Sequence, residues 1–324
     1  MNRYVFRAFG ALILLLCTAL SSQAQEGYPS RPVTIVVPFA PGGAVDLLAR
    51  RLAQKMDISM KTPVAVEDNP GAGGSVGSAQ VARAPADGYT ILLGTSSTHG
   101  INPWIYKLPY DVTKDFSPVA MIAITEYALA VSGSASAGIS SIADILKLAK
   151  TRQVTYSSMG NGTTSHLAAA LFGKETNTSF VHIPYKTQAQ AQTDLMSGQV
   201  DFMIDNISNV LPQAKAGKLK IIATTGRNRS AAALGAPTIS ESGAANYEIV
   251  GWFVLLAPAN TPEPIIAKLN EEVEKALRFE DVRAWMRNLD IHPSHMSAAE
   301  TRSYMASQRE KFREVVKASG AKVD

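Results

Sequence analysis

A β-branched run that stops at a proline and is followed at once by a glycine pair constrains this chain most: Val33-Thr34-Ile35-Val36-Val37 leads into Pro38-Phe39-Ala40-Pro41-Gly42-Gly43. The run has the composition of a fully buried parallel strand. From Ala44 to Met56 the apolar residues Val45, Leu48, Ala49 and Leu52 recur at helical spacing. Strand, glycine turn and helix then repeat. Val64-Ala65-Val66 precedes Pro70-Gly71-Ala72-Gly73-Gly74 and a helix through Val81, and Tyr89-Thr90-Ile91-Leu92-Leu93 supplies a third strand. This alternation predicts an α/β fold with an open sheet. Further strands are expected at Val154–Tyr156, Val181–Ile183, Val200–Ile204 and Leu219–Ile222, with helices between them.

Two β-like runs, Val119–Val131 and Tyr247–Pro258, are unusually long. A chain that crosses from one domain to another and back needs two such connections. The expected division is therefore a discontinuous first domain, 25–124 with 247–324, around an inserted second domain, 125–246. Two amphipathic, charged helices are expected at about 262–278 and 297–318.

The longest uninterrupted apolar stretch, Ala8–Leu20, follows Arg3 and Arg7 and precedes Ser22-Gln23-Ala24. This is the three-part layout of a secretory signal peptide, residues 1–24, with cleavage expected after Ala24. Lipid attachment at Cys17 is disfavoured, because Leu16 stands where a small residue is needed. Cleavage would remove two arginines and the single cysteine, lowering the formal charge from +4 to about +2. Thiol catalysis and thiolate metal sites are then excluded, and a soluble periplasmic protein is expected. The basic residues form no stripe, which argues against a nucleic-acid partner. With 46% of residues hydrophobic, the chain is also far from a disordered composition.

Two segments carry the ligand-binding signal. In Pro38–Asp46 the glycine pair lets backbone approach a ligand, and the helix start offers unpaired N–H groups to an anion. The alternative is a tight turn in which Asp46 steadies the first helical turn. Tyr156-Ser157-Ser158-Met159-Gly160-Asn161-Gly162-Thr163-Thr164-Ser165-His166 repeats the arrangement, with Thr163 either a helix cap or a ligand contact and His166 read as packed or capping. Two anion-receiving helix starts, one in each domain, would suit a small acid held between them.

Other motifs are weaker. Gly71–Gly77 departs from a dinucleotide fingerprint at Val76, and P-loop, zincin and esterase-elbow patterns are missing. Pro293 prevents His292 and His295 from sharing a helix face, so a surface loop is expected there. Asp201 and Asp205 alternate on one face of a strand, with Asp205 and Asn206 at its C-terminal end, where open sheets bind ligands. A paired-carboxylate hydrolase therefore stays open as the enzymatic alternative.

Read together, these segments resemble the exported solute-binding receptors of tripartite tricarboxylate transporters, the Bug family. The resemblance rests on PFAPGGAVD at 38–46, NPGAGGSVG at 69–77, ADGYTILLGTSSTHGINP at 86–103, YSSMGNGTTSHLA at 156–168, HIPYK at 182–186, DLMSGQVDFMID at 194–205 and IIATTG at 221–226, and covers nearly the whole chain after residue 24. It implies a type II periplasmic binding-protein fold: two α/β domains, hinge strands and a ligand cleft. It also implies a small carboxylate ligand, transporter subunits in the membrane as partner, a monomeric state, no catalytic residue, no cofactor and no metal. The ligand residues it implies are Phe39, Gly42, Gly43, Ala44 and Asp46 on one side and Met159, Asn161 and Thr163 on the other, with Ser96, Thr98 and Asp205 in addition. A sensor protein in place of the transporter is the alternative partner. Ala170 and Thr187 depart from the family pattern, the second at a cleft-side turn. An unpaired carboxylate at Asp46 or Asp205 would repel a polyanion and pair with an ammonium, so an amino acid or simple dicarboxylate suits the chain as well as citrate does.

Overall fold

The computed structural model describes residues 27–135 and 138–319; the expected signal peptide lies outside the described residues. β1 (Val33–Val37) turns through Gly42 and Gly43 into α1 (Ala44–Met60), and β2 (Val64–Asp68) passes through a glycine-rich turn into α2 (Ser75–Ala82). β3 (Thr90–Thr95) runs into a π-type turn, Ser97–Ile101, and a short helix, α3 (Asn102–Ile105). β4 (Phe116–Ser132) is the longest strand. After it come α4 (Ile142–Ala149), β5 (Val154–Ser158), α5 (Thr164–Glu175), β6 (Phe180–Pro184) and α6 (Gln188–Ser197). β7 (Phe202–Asn206), α7 (Ile207–Lys215), β8 (Leu219–Thr224) and β9 (Val250–Pro258) follow. The chain ends with α8 (Glu263–Arg278), α9 (Glu280–Asn288), β10 (Ile291–Pro293) and α10 (Ala298–Ser319).

β4 organises the sheet. Its first part, Phe116–Glu126, pairs antiparallel with β9, while Tyr127–Ala130 pair with β7 and Ala128–Ser132 with β8. The strand order β2-β1-β3-β9-β4-β7-β5-β6 therefore has one half on each side of β4. β1 is parallel to both its neighbours, and β5 to both of its own, as their apolar runs predict. Leu48, Leu52 and Met56 of α1 are buried in a core with Ile35, Phe253 and Leu269. Full burial of such side chains contributes about 1.5–3 kcal/mol each. A second core joins Tyr127, Leu129, Tyr156, Phe172 and Phe202 in the other half.

The return crossing differs from the sequence expectation. The run from Tyr247 does not form one long strand: β9 begins at Val250, and the preceding segment is tied by Ile249 N–H to Thr225 O at 3.1 Å. Tyr247 and Ile249 pack in the core of the second half, as do Phe312 and Val316 of α10, whereas Met305 of the same helix packs with Trp252 and Val254 in the first. α10 thus reaches across both halves, because its apolar residues serve two different cores. The expected loop at His292 is instead the short strand β10, paired antiparallel with β4 at Thr125–Ala123. Both histidines stay exposed, His292 on Asp290 and His295 on Glu274, each at 3.2 Å. Among the described residues no helix is long and apolar enough to cross a membrane.

Candidate functional site

The C-terminal ends of β1, β3, β5 and β7 converge at the seam between the halves, where residues following each strand line one cavity together with Tyr127 and Phe253. This is the edge at which open α/β sheets bind ligands. The cavity is small, with ≈ 70 Å³ open to the centre of a water-sized sphere. A wider recess, ≈ 540 Å³ by the same measure, adjoins it at Phe39, Ala40 and Met159.

On the first side, Phe39, Gly43, Ala44 and Asp46 line the cavity. Gly42, whose φ of 89° suits glycine, does not line it, and its N–H donates to Asp46 Oδ2 at 2.7 Å. The other Asp46 oxygen pairs with Arg50 at 2.5 Å, and Arg50 also binds Asp68 at 2.7 Å. Asp46 is therefore engaged within its own half, holding the turn and the first turn of α1. The Ala44 N–H donates across the seam to Asn209 Oδ1 at 2.9 Å.

At the end of β3 it is Thr95 and Ser97 that line the cavity, not Ser96 and Thr98. Thr98 Oγ1 accepts the Thr95 N–H at 2.9 Å and lies 2.9 Å from His99 Nδ1, wholly inside the first half. Ser96 Oγ and Ser97 Oγ both reach Thr164 Oγ1 in the other half, at 2.9 and 3.1 Å, and the Thr164 N–H donates to Ser97 Oγ at 3.0 Å. These contacts hold the halves together over the cavity.

On the second side, Met159, Thr163, Thr164 and Ser165 line the cavity. Thr163 caps α5, accepting the His166 N–H at 3.4 Å and donating to Gly160 O at 2.7 Å. Asn161 belongs to the wider recess, and its carbonyl accepts the Tyr106 hydroxyl at 2.6 Å across the seam. His166 is packed and capping: its Nδ1 accepts the Gly162 N–H at 3.3 Å, and its ring stacks on His182 at 4.2 Å. Burial pushes the two rings down to about 4 and about 3 respectively.

Asp205 stands at the end of β7, 4% exposed, lining the cavity. Its Oδ1 accepts the Asn206 N–H at 2.7 Å and the Asn209 amide at 3.4 Å, while its Oδ2 completes no hydrogen bond. Burial pushes this carboxyl up to about 6, against the opposing pull of Asn206, Gln188 and Asn209. Asp201 lies just before the start of β7, the opposite end from Asp205, and binds Arg152 at 2.5 Å and the Thr155 N–H at 2.8 Å. At about 3.3 Å per strand residue the two acids are too far apart to act as a pair.

Sequence reasoning missed Tyr127, Gln188, Asn209 and Phe253 at the cavity. Asn209 could have been found, since it follows Asp205 by four residues in a strand-to-helix turn. Among the described residues no Lys or Arg lines the cavity, and the side-chain donors there are neutral: the hydroxyls of Thr95, Ser97, Thr164 and Ser165 and the amides of Gln188 and Asn209. Uncharged donors of this kind hold a small polar ligand by direction rather than by net charge.

A sheet in two halves, joined by a shared strand and closed over a small cavity of apolar walls and neutral polar groups, defines a solute-binding protein of the hinged-cleft class. The tripartite tricarboxylate transporter family receptor profile matches residues 48–321, and the chain belongs to that family. It is similar to the protein BugT of Bordetella pertussis, with 32% identity over 305 residues and 93% of each chain covered. Among solved structures it resembles Rpa4515 of R. palustris with adipate, at TM-score 0.87 and 32% identity, covering 91% of this chain and 100% of that one. MatC of Rhodopseudomonas palustris with bound malate superposes at TM-score 0.84 with 30% identity, covering 89% and 100%. The periplasmic binding protein BugD superposes at 0.85 with 32% identity, covering 91% and 99%.

Proposed function

We propose that this chain is a periplasmic receptor that closes its two halves on a small carboxylated solute and delivers it to the membrane subunits of a tripartite tricarboxylate-type transporter. The observation that carries the reading is the cavity itself, lined from both halves by neutral hydroxyl and amide donors and roofed by the Ser97–Thr164 contacts. The adipate and malate held by two similar structures support the ligand class. Export through residues 1–24, with cleavage after Ala24, fits the same role. We place the hinge where β4 passes from β9 to β7, at Glu126 and Tyr127, and at the return through Thr225 and Ile249.

Within the cleft, Phe39, Gly43, Ala44, Met159, Thr163 and Asp205 are the contacts we retain from the sequence, joined by Thr95, Ser97, Thr164 and Asn209. The test is thermal unfolding of the chain lacking residues 1–24, freed of co-purified ligand by unfolding and refolding, against mono-, di- and tricarboxylates and acidic amino acids. A ligand at one hundred times its Kd adds about 2.7 kcal/mol of stability. No shift with any acid would overturn the reading.

A further inference from the structure

We infer that Asp205 reads a hydrogen-bond donor on the ligand, so that the cleft selects acids carrying an ammonium or hydroxyl group close to the carboxylate. This rests on the carboxylate-binding reading above and deepens it.

Asp205 is 4% exposed, lines the cavity, and has one oxygen, Oδ2, that completes no hydrogen bond with the protein. Its other oxygen is held by the Asn206 N–H at 2.7 Å, which fixes the side chain in place. A buried carboxylate oxygen without a donor is unfavourable unless something supplies one. Among the described residues no Lys or Arg lines the cavity: Lys186 lines only the adjoining recess, and Arg50, the base nearest in sequence to the first cleft turn, is bound to Asp46 and Asp68. The neutral amide of Gln188 faces Asp205 but completes no hydrogen bond with it. Asp46, the second acid in the wall, has an Oδ1 that likewise completes no hydrogen bond, but Arg50 pairs with it at 2.5 Å, so among the described residues Asp205 is the one of the two acids without an ion-pair partner. A dianion without a donor would set its carboxylate against Asp205 with nothing between to offset the repulsion. A hydroxyl gives Oδ2 a partner. An ammonium gives it a partner and cancels its charge, and charge-assisted hydrogen bonds are roughly twice as strong as neutral ones. The ligand order this predicts on one carbon skeleton is ammonium, then hydroxyl, then neither.

The experiment is titration calorimetry at pH 7.5 with three matched series: succinate, malate and aspartate; glutarate, 2-hydroxyglutarate and glutamate; phenylpropionate, phenyllactate and phenylalanine. In at least one series the amino acid should bind at least ~10-fold more tightly than the acid without a donor, with the hydroxy acid between them. Asp205→Asn should raise the affinity of the donor-free acid and lower that of the amino acid, bringing their ratio toward one. Equal or tighter binding of the donor-free acid by the unaltered chain overturns the inference, and that comparison decides even if the variant does not fold. A uniform loss across a series in Asp205→Asn, with the ratio intact, also overturns it, because a merely structural residue would behave so. Binding without donor preference leaves the carboxylate reading standing, whereas no binding in any series removes both.

Discussion

The side-chain oxygen of Asn209 accepts the Ala44 N–H at 2.9 Å, so the first turn of α1 in one half is capped by a residue of α7 in the other. Gly43, the residue before α1, has no side chain with which to do this. The exposed helix start read from the glycine pair is thus completed across the seam, and opening the cleft must break this bond. Asn209→Ala is expected to remove about 1 kcal/mol from the closed arrangement, shifting the open-to-closed ratio roughly five-fold. The check is the radius of gyration of the ligand-free chain by small-angle scattering. An unchanged radius would mean that the other contacts across the seam, Ser96 and Ser97 with Thr164 and Tyr106 with Asn161, set closure without it.

Gly162 has a φ of 74°, and a Cβ there would overlap the Tyr106 ring of the opposite half. Gly162→Ala should therefore act twice. The left-handed backbone costs about 1–2 kcal/mol of stability, and the clash holds the halves apart, weakening ligand binding by at least ~10-fold. Adding Tyr106→Ala removes the ring and should recover part of the affinity but none of the backbone cost. Calorimetric titration of both variants separates the effects. Full affinity in Gly162→Ala would show that binding does not bring these two residues together.

How much of this site was legible in the sequence depends on what each residue's position obeys. The β1 turn and α1 follow local rules, a β-branched run ended by Pro38 and a helical spacing from Val45, and these rules suffice to bring Phe39, Gly43 and Ala44 to the strand end that the cavity occupies. Asp205 was legible as the end of a strand. The choice between Ser96 with Thr98 and Thr95 with Ser97 was not, because alternating faces fix only the pairing, and the opposite half decides which face meets the cleft. The π-type turn at Ser97 adds to the ambiguity by breaking the strand there. Tyr127 and Phe253 were hidden for a different reason. They lie in crossing strands buried almost throughout, where a uniform apolar run marks no face.

Asp201 gives a prediction that separates structure from binding. It is held by Arg152 and by both the N–H and hydroxyl of Thr155, at 2.8 and 3.1 Å, and these contacts hold its carboxyl below the usual range despite burial. Asp201→Ala leaves the Thr155 N–H and the Arg152 charge without their acceptor. A loss of about 2 kcal/mol of stability is expected, with ligand affinity unchanged, because the residue sits at the end of β7 away from the cleft. Chemical denaturation and calorimetry on one preparation test both halves of the statement. An affinity loss would reopen the pairing of Asp201 with Asp205.

Glu126 makes the stability of the fold sensitive to pH. It is the last residue of β4 in register with β9, at Val250, and Tyr127 begins the pairing with β7. Its Oε2 is buried without a hydrogen bond, and a Cβ on Gly226 would overlap the carboxylate, so the return chain packs directly against it. Burial first, then the charges of Asp290 and Glu248, push its pKa up to about 7, with His292 opposing. A carboxyl raised in the folded state is protonated there while the unfolded chain ionises. Stability is therefore unaffected below the ordinary value of 4.5 and is lost progressively as pH rises toward 7. Glu126→Gln keeps the shape and removes the charge. With solvent screening of this half-buried group included, the variant should be more stable than the unaltered chain by about 1–2 kcal/mol at pH 8, and the gap should close by about pH 5. Thermal melts of both chains across that range measure it, and a gap independent of pH would show that Glu126 does not titrate within the fold.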